Sequence, residues 1–494
     1  MQKTIESQQN IQNSSARMAG SWLKKINDSL KDDYPVLILS VISFVILGII
    51  CFFGVTKNVT VAAFSLNEYE VGQIADRTII ADRTLTATPD YPIVVREGEK
   101  IIRKGFAITE ENYKKLEKMA NTKEYIDYRA YADTLLYLFV LMILWSLLFS
   151  KVLTGHKLSF KELAVQIVFF IAIYSCAMFA SRFAFFARSS YHLCIALPTA
   201  LFIFLIALLF GERSSIFFSI IVALGVLNAS NYDVVVFLFT LATCFCATRI
   251  VRKIETRIDM VFASVSIALF NIVFIFLLKV LFNDNFAYIG YLSLALAING
   301  FICGILALGF ITPLEQVLNT ASVFRLIDLS DLNNPTMRKF LLNASGTYNH
   351  SMMVATLAEN ACKEIGANSL VARVGAYYHD IGKMEQSEYF VENQTGQNKH
   401  DDINPFLSVS VIRSHVKRGV EKAHQLHLPK QIIDIIAEHH GNSVISYFYN
   451  EAKQQNPDVQ EEDFSYNGTP PSTKESAVVM LADTVEAACR TLEK

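Results

Sequence analysis

Between Val371 and Lys383 the chain reads Val-Ala-Arg-Val-Gly-Ala-Tyr-Tyr-His-Asp-Ile-Gly-Lys, which sets His379, Asp380, Gly382 and Lys383 within five residues. An imidazole, a carboxylate, a tight glycine and an ammonium are the raw material of a metal site that handles phosphate. Of the ten histidines in 494 residues, eight lie from His350 to His440. His350 follows Gly346-Thr-Tyr-Asn, His415 lies in Val411-Ile-Arg-Ser-His-Val, His439-His440 follow Ile435-Ile-Ala-Glu, and Asp483 sits in Val478-Val-Met-Leu-Ala-Asp. Each is a polar residue at or near an apolar helix face, where an unpaired polar group is costly. Five histidines and two aspartates converging there would satisfy one another through metal.

Imidazoles and carboxylates without thiolates suit borderline-to-hard divalent ions such as iron, manganese or cobalt rather than a structural zinc site. Seven ligands exceed what one ion with an open position uses. Two ions sharing the Asp380 carboxylate would leave places for water and substrate, and such pairs act on phosphorus. Lys383 adds a cation for phosphate charge, and the reaction class is phosphoester hydrolysis. His424 and His427 read as surface residues, and a place behind the ligands is the minority reading for His400.

The elements that must position these residues begin at Pro313. Leu314 to Leu329 reads as a helical connector, and the pattern beyond it is of helices between short polar turns, with no run of alternating strands. An all-α domain over 336–494 is expected, after a connector over 313–335. Upstream, the composition is that of a membrane protein: 52% hydrophobic residues, 36 phenylalanines and a mean hydropathy of +0.33 are too apolar for a soluble chain. Residues 1–33 read as a polar cytoplasmic tail and 34–55 as an uncleaved transmembrane anchor of roughly the 20 residues a bilayer requires. High hydropathy over 133–312 divides into seven spans, 133–153, 162–181, 190–210, 215–230, 232–250, 259–282 and 288–312. With the anchor the total is eight, which returns the C-terminus to the cytoplasm. Loop charges agree: Lys157, Lys161, Arg213, Arg249, Arg252, Lys253 and Arg257 fall inside, against Arg182 and Arg188 outside. Few charges lie within the spans, which speaks against a transporter.

Residues 56–132 form a small charged domain of mixed type, expected on the extracytoplasmic side. Ile93-Val-Val and Ile101-Ile read as strands around a Glu97-Gly-Glu turn, and Thr109 with Glu110 and Glu111 as the start of a helix. It reads either as a folded spacer or as a sensor for a ligand outside the membrane. The cysteines, scattered through apolar segments, make no disulfide framework. No basic, aromatic-interleaved face indicates a nucleic acid polymer.

Residues 313–490 resemble the HD-domain hydrolases, and more narrowly the bacterial seven-transmembrane receptor HD-hydrolase family. The matching stretches are Arg325-Leu-Ile-Asp-Leu-Ser-Asp-Leu-Asn, Gly346-Thr-Tyr-Asn-His350-Ser, Arg373 through Met384, Tyr389-Phe-Val-Glu-Asn-Gln394, Ser414-His415-Val, His439-His440-Gly and Lys474 through Asp483. The resemblance implies a polytopic α-helical protein of the bacterial cell (inner) membrane, with a cytoplasmic HD domain that hydrolyses cyclic-di-AMP to pApA. It implies one iron or manganese ion on His350, His379, Asp380 and Asp483 and a second on Asp380, His415, His439 and His440. The chain departs from the pattern in a shorter extracytoplasmic domain and in Ala344-Ser-Gly-Thr and Asn398-Lys-His-Asp, where a proline is expected. It also ends at Lys494, inside the helix carrying Asp483, where the family continues. Competing readings are a hydrolase of cyclic-di-GMP or ppGpp, or a non-catalytic nucleotide-binding receptor; no Gly-Tyr-Pro accompanies the core. A connector helix of this kind can also support a homodimer.

Overall fold

The computed structural model describes residues 38–53, 56–57, 66–81, 84–122, 125–126, 128–149, 159–181, 183–187, 189–252 and 254–492. The tail 1–33 and the loop charges Lys157, Arg182, Arg188 and Lys253 lie outside them. The described chain divides into two compact units; the second takes Ile254–Asp259 and then everything from Leu308 onward.

In the first unit, helix α1 spans Ile38–Phe53. The small domain beyond it is closed by β1 (Thr56–Lys57) and β4 (Tyr125–Ile126), paired antiparallel. Between them lie β2 (Ile79–Ile80), β3 (Lys100–Ile102) and helix α2 (Glu110–Ala120). Thr109 caps α2 by accepting from the Asn112 amide, the local hydrogen bond that makes threonine a good first residue. Ile79, Val95, Ile101, Ile102, Leu116 and Met119 form the core. The expected strand at Ile93–Val95 reduces to one bridge between Leu85 and Val95. Backbone carbonyls there are taken instead by the buried Lys118 ammonium, which donates to Thr86, Tyr91 and Ile93.

Among the described residues, six helices are long and apolar enough to cross a membrane: α3 (Tyr128–Leu148), α4 (Phe160–Ala180), α5 (Thr199–Ala229), α6 (Val234–Val251), α7 (Arg257–Leu281) and α8 (Ile289–Leu318). Exposed Phe262, Val265, Leu269, Val273 and Phe276 on α7 need an apolar solvent. Helix α5 is broken at Gly211, whose φ of 88° and ψ of 176° leave the helical region. Residues 199–210 run against α4, with the Phe169 and Phe202 rings 4.9 Å apart and Cys176 donating to the Ala196 carbonyl. Residues 212–229 run along α4 in its own direction, Ser214 donating to Glu162 and Tyr174 to Asn228, each at 2.8 Å. The chain therefore reverses at Gly211, between two spans that the hydropathy also separates.

Helix α8 continues through Pro313, where the sequence suggests a boundary. A proline inside a helix removes one hydrogen bond, here to the Gly309 carbonyl, without having to end the helix. The stop is Asn319, left-handed at φ 55°, a conformation that asparagine tolerates. The expected connector helix is thus two pieces, with α9 (Val323–Leu329) starting afresh on a Ser322 cap.

The rest of the second unit is helical: α10 (Pro335–Asn343), α11 (Ser345–Glu364), α12 (Ser369–Tyr378), α13 (Pro405–Gln425), α14 (Lys430–Glu438), α15 (Ser446–Gln455) and α16 (Lys474–Leu492), with short 3-10 turns between Ile381 and Asp402. Asn334, Asn368 and Asn404 cap α10, α12 and α13. The core sets Met337, Phe340, Val354, Ala358, Val374, Tyr378, Ile432, Ile435, Ile436 and Val479 together. Each isoleucine fully buried there contributes about 1.5–3 kcal/mol of apolar transfer. That core fixes the ends of α12 and α14 and one face each of α11, α13 and α16.

Candidate metal centre

The seven residues singled out by type and spacing come together at those ends and faces. His350 lies in the second turn of α11. His379 closes α12, and Asp380 opens the 3-10 turn Ile381–Glu385. His415 is central in α13, His439 closes α14 with His440 next, and Asp483 lies in α16.

Two donor groups form among the described residues, His350 with His379 and Asp380, and Asp380 with His415, His439 and His440. Asp380 belongs to both because its oxygens face opposite ways. Its Oδ2 stands 3.2 Å from His379 Nε2 and 3.8 Å from His350 Nε2, while Oδ1 stands 3.4 Å from His415 Nε2 and 3.6 Å from His439 Nε2. Asp483 reaches His350 Nε2 at 2.9 Å, His379 Nε2 at 3.8 Å and His440 Nδ1 at 3.6 Å.

The arrangement fits divalent cations. His379, His415 and His439 each donate Nδ1–H to a carbonyl three residues back, on Ala376, Ile412 and Ile436. That bond turns Nε2 inward and fixes the tautomer, as behind metal-ligating histidines. His415 and His439 Nε2 are 3.3 Å apart, and two inward lone pairs at that distance repel unless a proton or cation lies between them. His379 Nε2 and both Asp380 oxygens are buried without a formed hydrogen bond, although Lys383 Nζ stands 2.6 Å from Oδ2.

The electrostatics are those of neutral imidazoles around ionised carboxylates. Burial pushes His415 down to about 3, and burial with the neighbouring His439 and His415 holds His440 well below its ordinary value. His379 differs: against its burial, Asp380 and Asp483 bring it up to about 10. Asp380, though buried, is held well below the carboxylate range by His379 and Lys383. Lys383 is buried too, yet Asp380 and Glu392 hold it above its ordinary value. Its ammonium also meets Glu392 at 3.1 Å, so the cation expected to face phosphate is already balanced by two carboxylates.

Glycine is required where the turn after Asp380 meets α13. A Cβ on Gly382 would stand 1.9 Å from the His415 carbonyl oxygen and 2.5 Å from the Gly419 nitrogen, so the turn after Asp380 can press against α13 only as glycine.

His424 and His427 are exposed, as expected. His400 donates Nε2–H to the Tyr389 carbonyl at 2.9 Å, its ring against Tyr389 and Phe448; it packs a loop and is not in either donor group. Three further participants escape a reading by residue type. Glu486 meets the back of His350, Glu392 holds Lys383 and accepts from Thr347, and Tyr466 stacks on His440 with centroids 4.2 Å apart. Glu486 had a signal, being one helical turn beyond Asp483; Tyr466 lies in a loop and had none. Beside Tyr466 and His440, Phe406, Arg413, Lys417, Asn467 and Thr469 line a cavity of about 800 Å³.

Comparison with known proteins gives matches on both sides of this geometry. Residues 347–488 match the HD domain, and residues 132–322 match the family described as 7TM receptor with intracellular HD hydrolase. The chain is 32% identical over 417 residues to cyclic-di-AMP phosphodiesterase PgpH of Listeria monocytogenes, which covers 83% of this chain and 58% of that protein. The Bacillus subtilis protein of the same name is 32% identical over 412 residues, 81% of this chain and 57% of that one. The chain thus spans under three fifths of these relatives' length. A crystal structure of the L. monocytogenes PgpH HD domain in complex with cyclic-di-AMP aligns with 33% of this chain and 76% of that one, at 51% identity and a TM-score of 0.32.

Proposed function

Because the chain belongs to the seven-transmembrane receptors with an intracellular HD hydrolase, we propose that it is a multi-pass, metal-dependent phosphodiesterase that opens cyclic-di-AMP to pApA. The observation that carries the reading is the Asp380 carboxylate, one oxygen in each of two donor groups. The names of the two relatives point to the same substrate. His350, His379, Asp380 and Asp483 would hold one ion, and Asp380, His415, His439 and His440 the other, with iron or manganese suited to this oxygen and nitrogen set. When bound, such a pair supplies an activated hydroxide and charge stabilisation at phosphorus.

The chain's own residues do the rest. Asp380 fixes the spacing of the two donor groups, and Lys383 keeps that carboxylate ionised. Arg413 and Lys417 bring two cations to the cavity beside His440, whose size is in the range of small-ligand sites. The flat Tyr466 face closes one side of it.

The membrane portion completes the proposal. Taking the reversal at Gly211 as two crossings, α1 and the helices α3 to α8 cross eight times, the 56–132 domain lies outside, and the HD domain over 336–494 lies in the cytoplasm. The tail 1–33, anchor 34–55, membrane block 133–312 and connector 313–335 make up the remainder. The outer domain would bind a ligand of its own, and a homodimer would form through the connector.

The test is turnover by the full chain in nanodiscs loaded with Mn²⁺ or Fe²⁺, followed by chromatography. Cyclic-di-AMP is expected to yield pApA, with no product from Asp380→Ala. A metal-loaded chain that leaves cyclic-di-AMP intact, or that prefers cyclic-di-GMP or ppGpp, would sink the substrate assignment.

A further inference from the structure

Helix α16 grips His350 from both sides. Asp483 Oδ1 meets Nε2 at 2.9 Å, and Glu486, three residues on, meets Nδ1 through Oε2. Asp483 faces the donor groups, whereas Glu486 stands behind the ring. Glu486 is itself held, because Arg490 one turn further donates Nη2 to both its oxygens at 2.6 and 2.8 Å. His379, His415 and His439 rest their Nδ1–H on backbone carbonyls. His350 alone among these four rests it on a carboxylate.

The difference has a chemical consequence. A carbonyl orients an imidazole; a carboxylate orients it and also raises its electron density, which strengthens Nε2 as a donor. Arg490 keeps Glu486 turned toward His350 and away from the donor groups. The Glu486–His350 pair lies on the side of the centre with His379 and Asp380 Oδ2, away from His415 and His439.

Resting on the metal reading above, we propose that Glu486, clamped by Arg490, is the positioning residue that sets the affinity of the ion held by His350, His379, Asp380 and Asp483. The ion on His415, His439 and His440 does not depend on it. The pairing makes the two sites unequal, with the His350 side filling under the control of a carboxylate that touches neither metal nor substrate.

The experiment is Mn²⁺ titration of the full chain by calorimetry, with metal counting, for the wild type, Glu486→Ala, Glu486→Gln and Arg490→Gln, each also melted without metal. Glu486→Ala is expected to weaken one of two ions by roughly 10- to 100-fold and leave the other unchanged. Glu486→Gln keeps an oxygen for Nδ1–H without the charge and recovers part of the loss; Arg490→Gln gives a smaller loss at the same site. If Glu486→Ala does not fold, Glu486→Leu fills the space without an acceptor and carries the same expectation. Wild-type affinity at both sites in Glu486→Ala or Glu486→Leu overturns the role while leaving the metal reading intact. A wild type that takes up no Mn²⁺ overturns that reading and the role with it.

Discussion

Replacing Gly382 by alanine tests whether the centre is built by backbone contact. The new Cβ would lie 1.9 Å from the His415 carbonyl oxygen and 2.5 Å from the Gly419 nitrogen, so no rotamer relieves it. Reaching an ordinary contact of 3.4 Å requires the turn and α13 to separate by about 1.5 Å. Overpacking of this kind costs about 1–3 kcal/mol, and contact with two backbone atoms of α13 puts Gly382→Ala at the upper end. The functional loss is larger than the stability loss. Separation carries Asp380, two residues before, away from His415, whose Nε2 stands 3.4 Å from Oδ1. A displacement of about 1 Å at a reacting centre is worth on the order of 100-fold. Two alanine variants calibrate the argument. At Gly419 the first obstacle is the Ile436 side chain at 2.9 Å, which can yield, and at Gly396 nothing lies within 4 Å. Thermal unfolding, Mn²⁺ affinity and cyclic-di-AMP turnover should fall in the order Gly382, Gly419, Gly396, with Gly396→Ala close to wild type. Gly382→Ala with wild-type metal affinity and turnover would refute the contact as the determinant of the site.

Metal binding should release a proton. His379, brought up to about 10 by Asp380 and Asp483 against its burial, is protonated at neutral pH without metal, so Mn²⁺ affinity should rise with pH between 6.5 and 8.5, about tenfold per unit for one displaced proton; calorimetry in buffers of different ionisation heat reads this, and a flat profile rejects it. In the small domain, Lys118→Met leaves the Thr86 and Ile93 carbonyls without this donor, while the Tyr91 carbonyl keeps the Thr88 amide. At about 1–3 kcal/mol per buried unsatisfied group, this should raise hydrogen exchange over 79–119 and leave the second unit unchanged. Gly211→Ala places a side chain at φ 88°, a strain of roughly 1–2 kcal/mol, and should lower the yield of folded protein from detergent more than Gly309→Ala, which meets nothing within 4 Å.

The sequence determined the kinds of parts and their order. Residue type with period announced the apolar helices, the capped α2, the all-helical second unit and the order His, His-Asp, His, His-His, Asp, because burial and ligand chemistry act on side chains one at a time. Some places were legible only in part: Pro313 suggested a boundary, but a proline removes one hydrogen bond and Asn319 ends the helix. Ile93–Val95 has strand composition, yet the Ile93 carbonyl serves Lys118, a partner 25 residues away. What tertiary structure alone decided is direction and distance. That Asp380 gives one oxygen to each donor group, that Lys383 is balanced by Glu392, that Glu486 stands behind His350 and that Tyr466 lies on His440 all depend on how five helices and a loop are packed. Their separations in sequence carry no distance information, whereas hydrogen bonds and metal ligation are settled by tenths of an ångström.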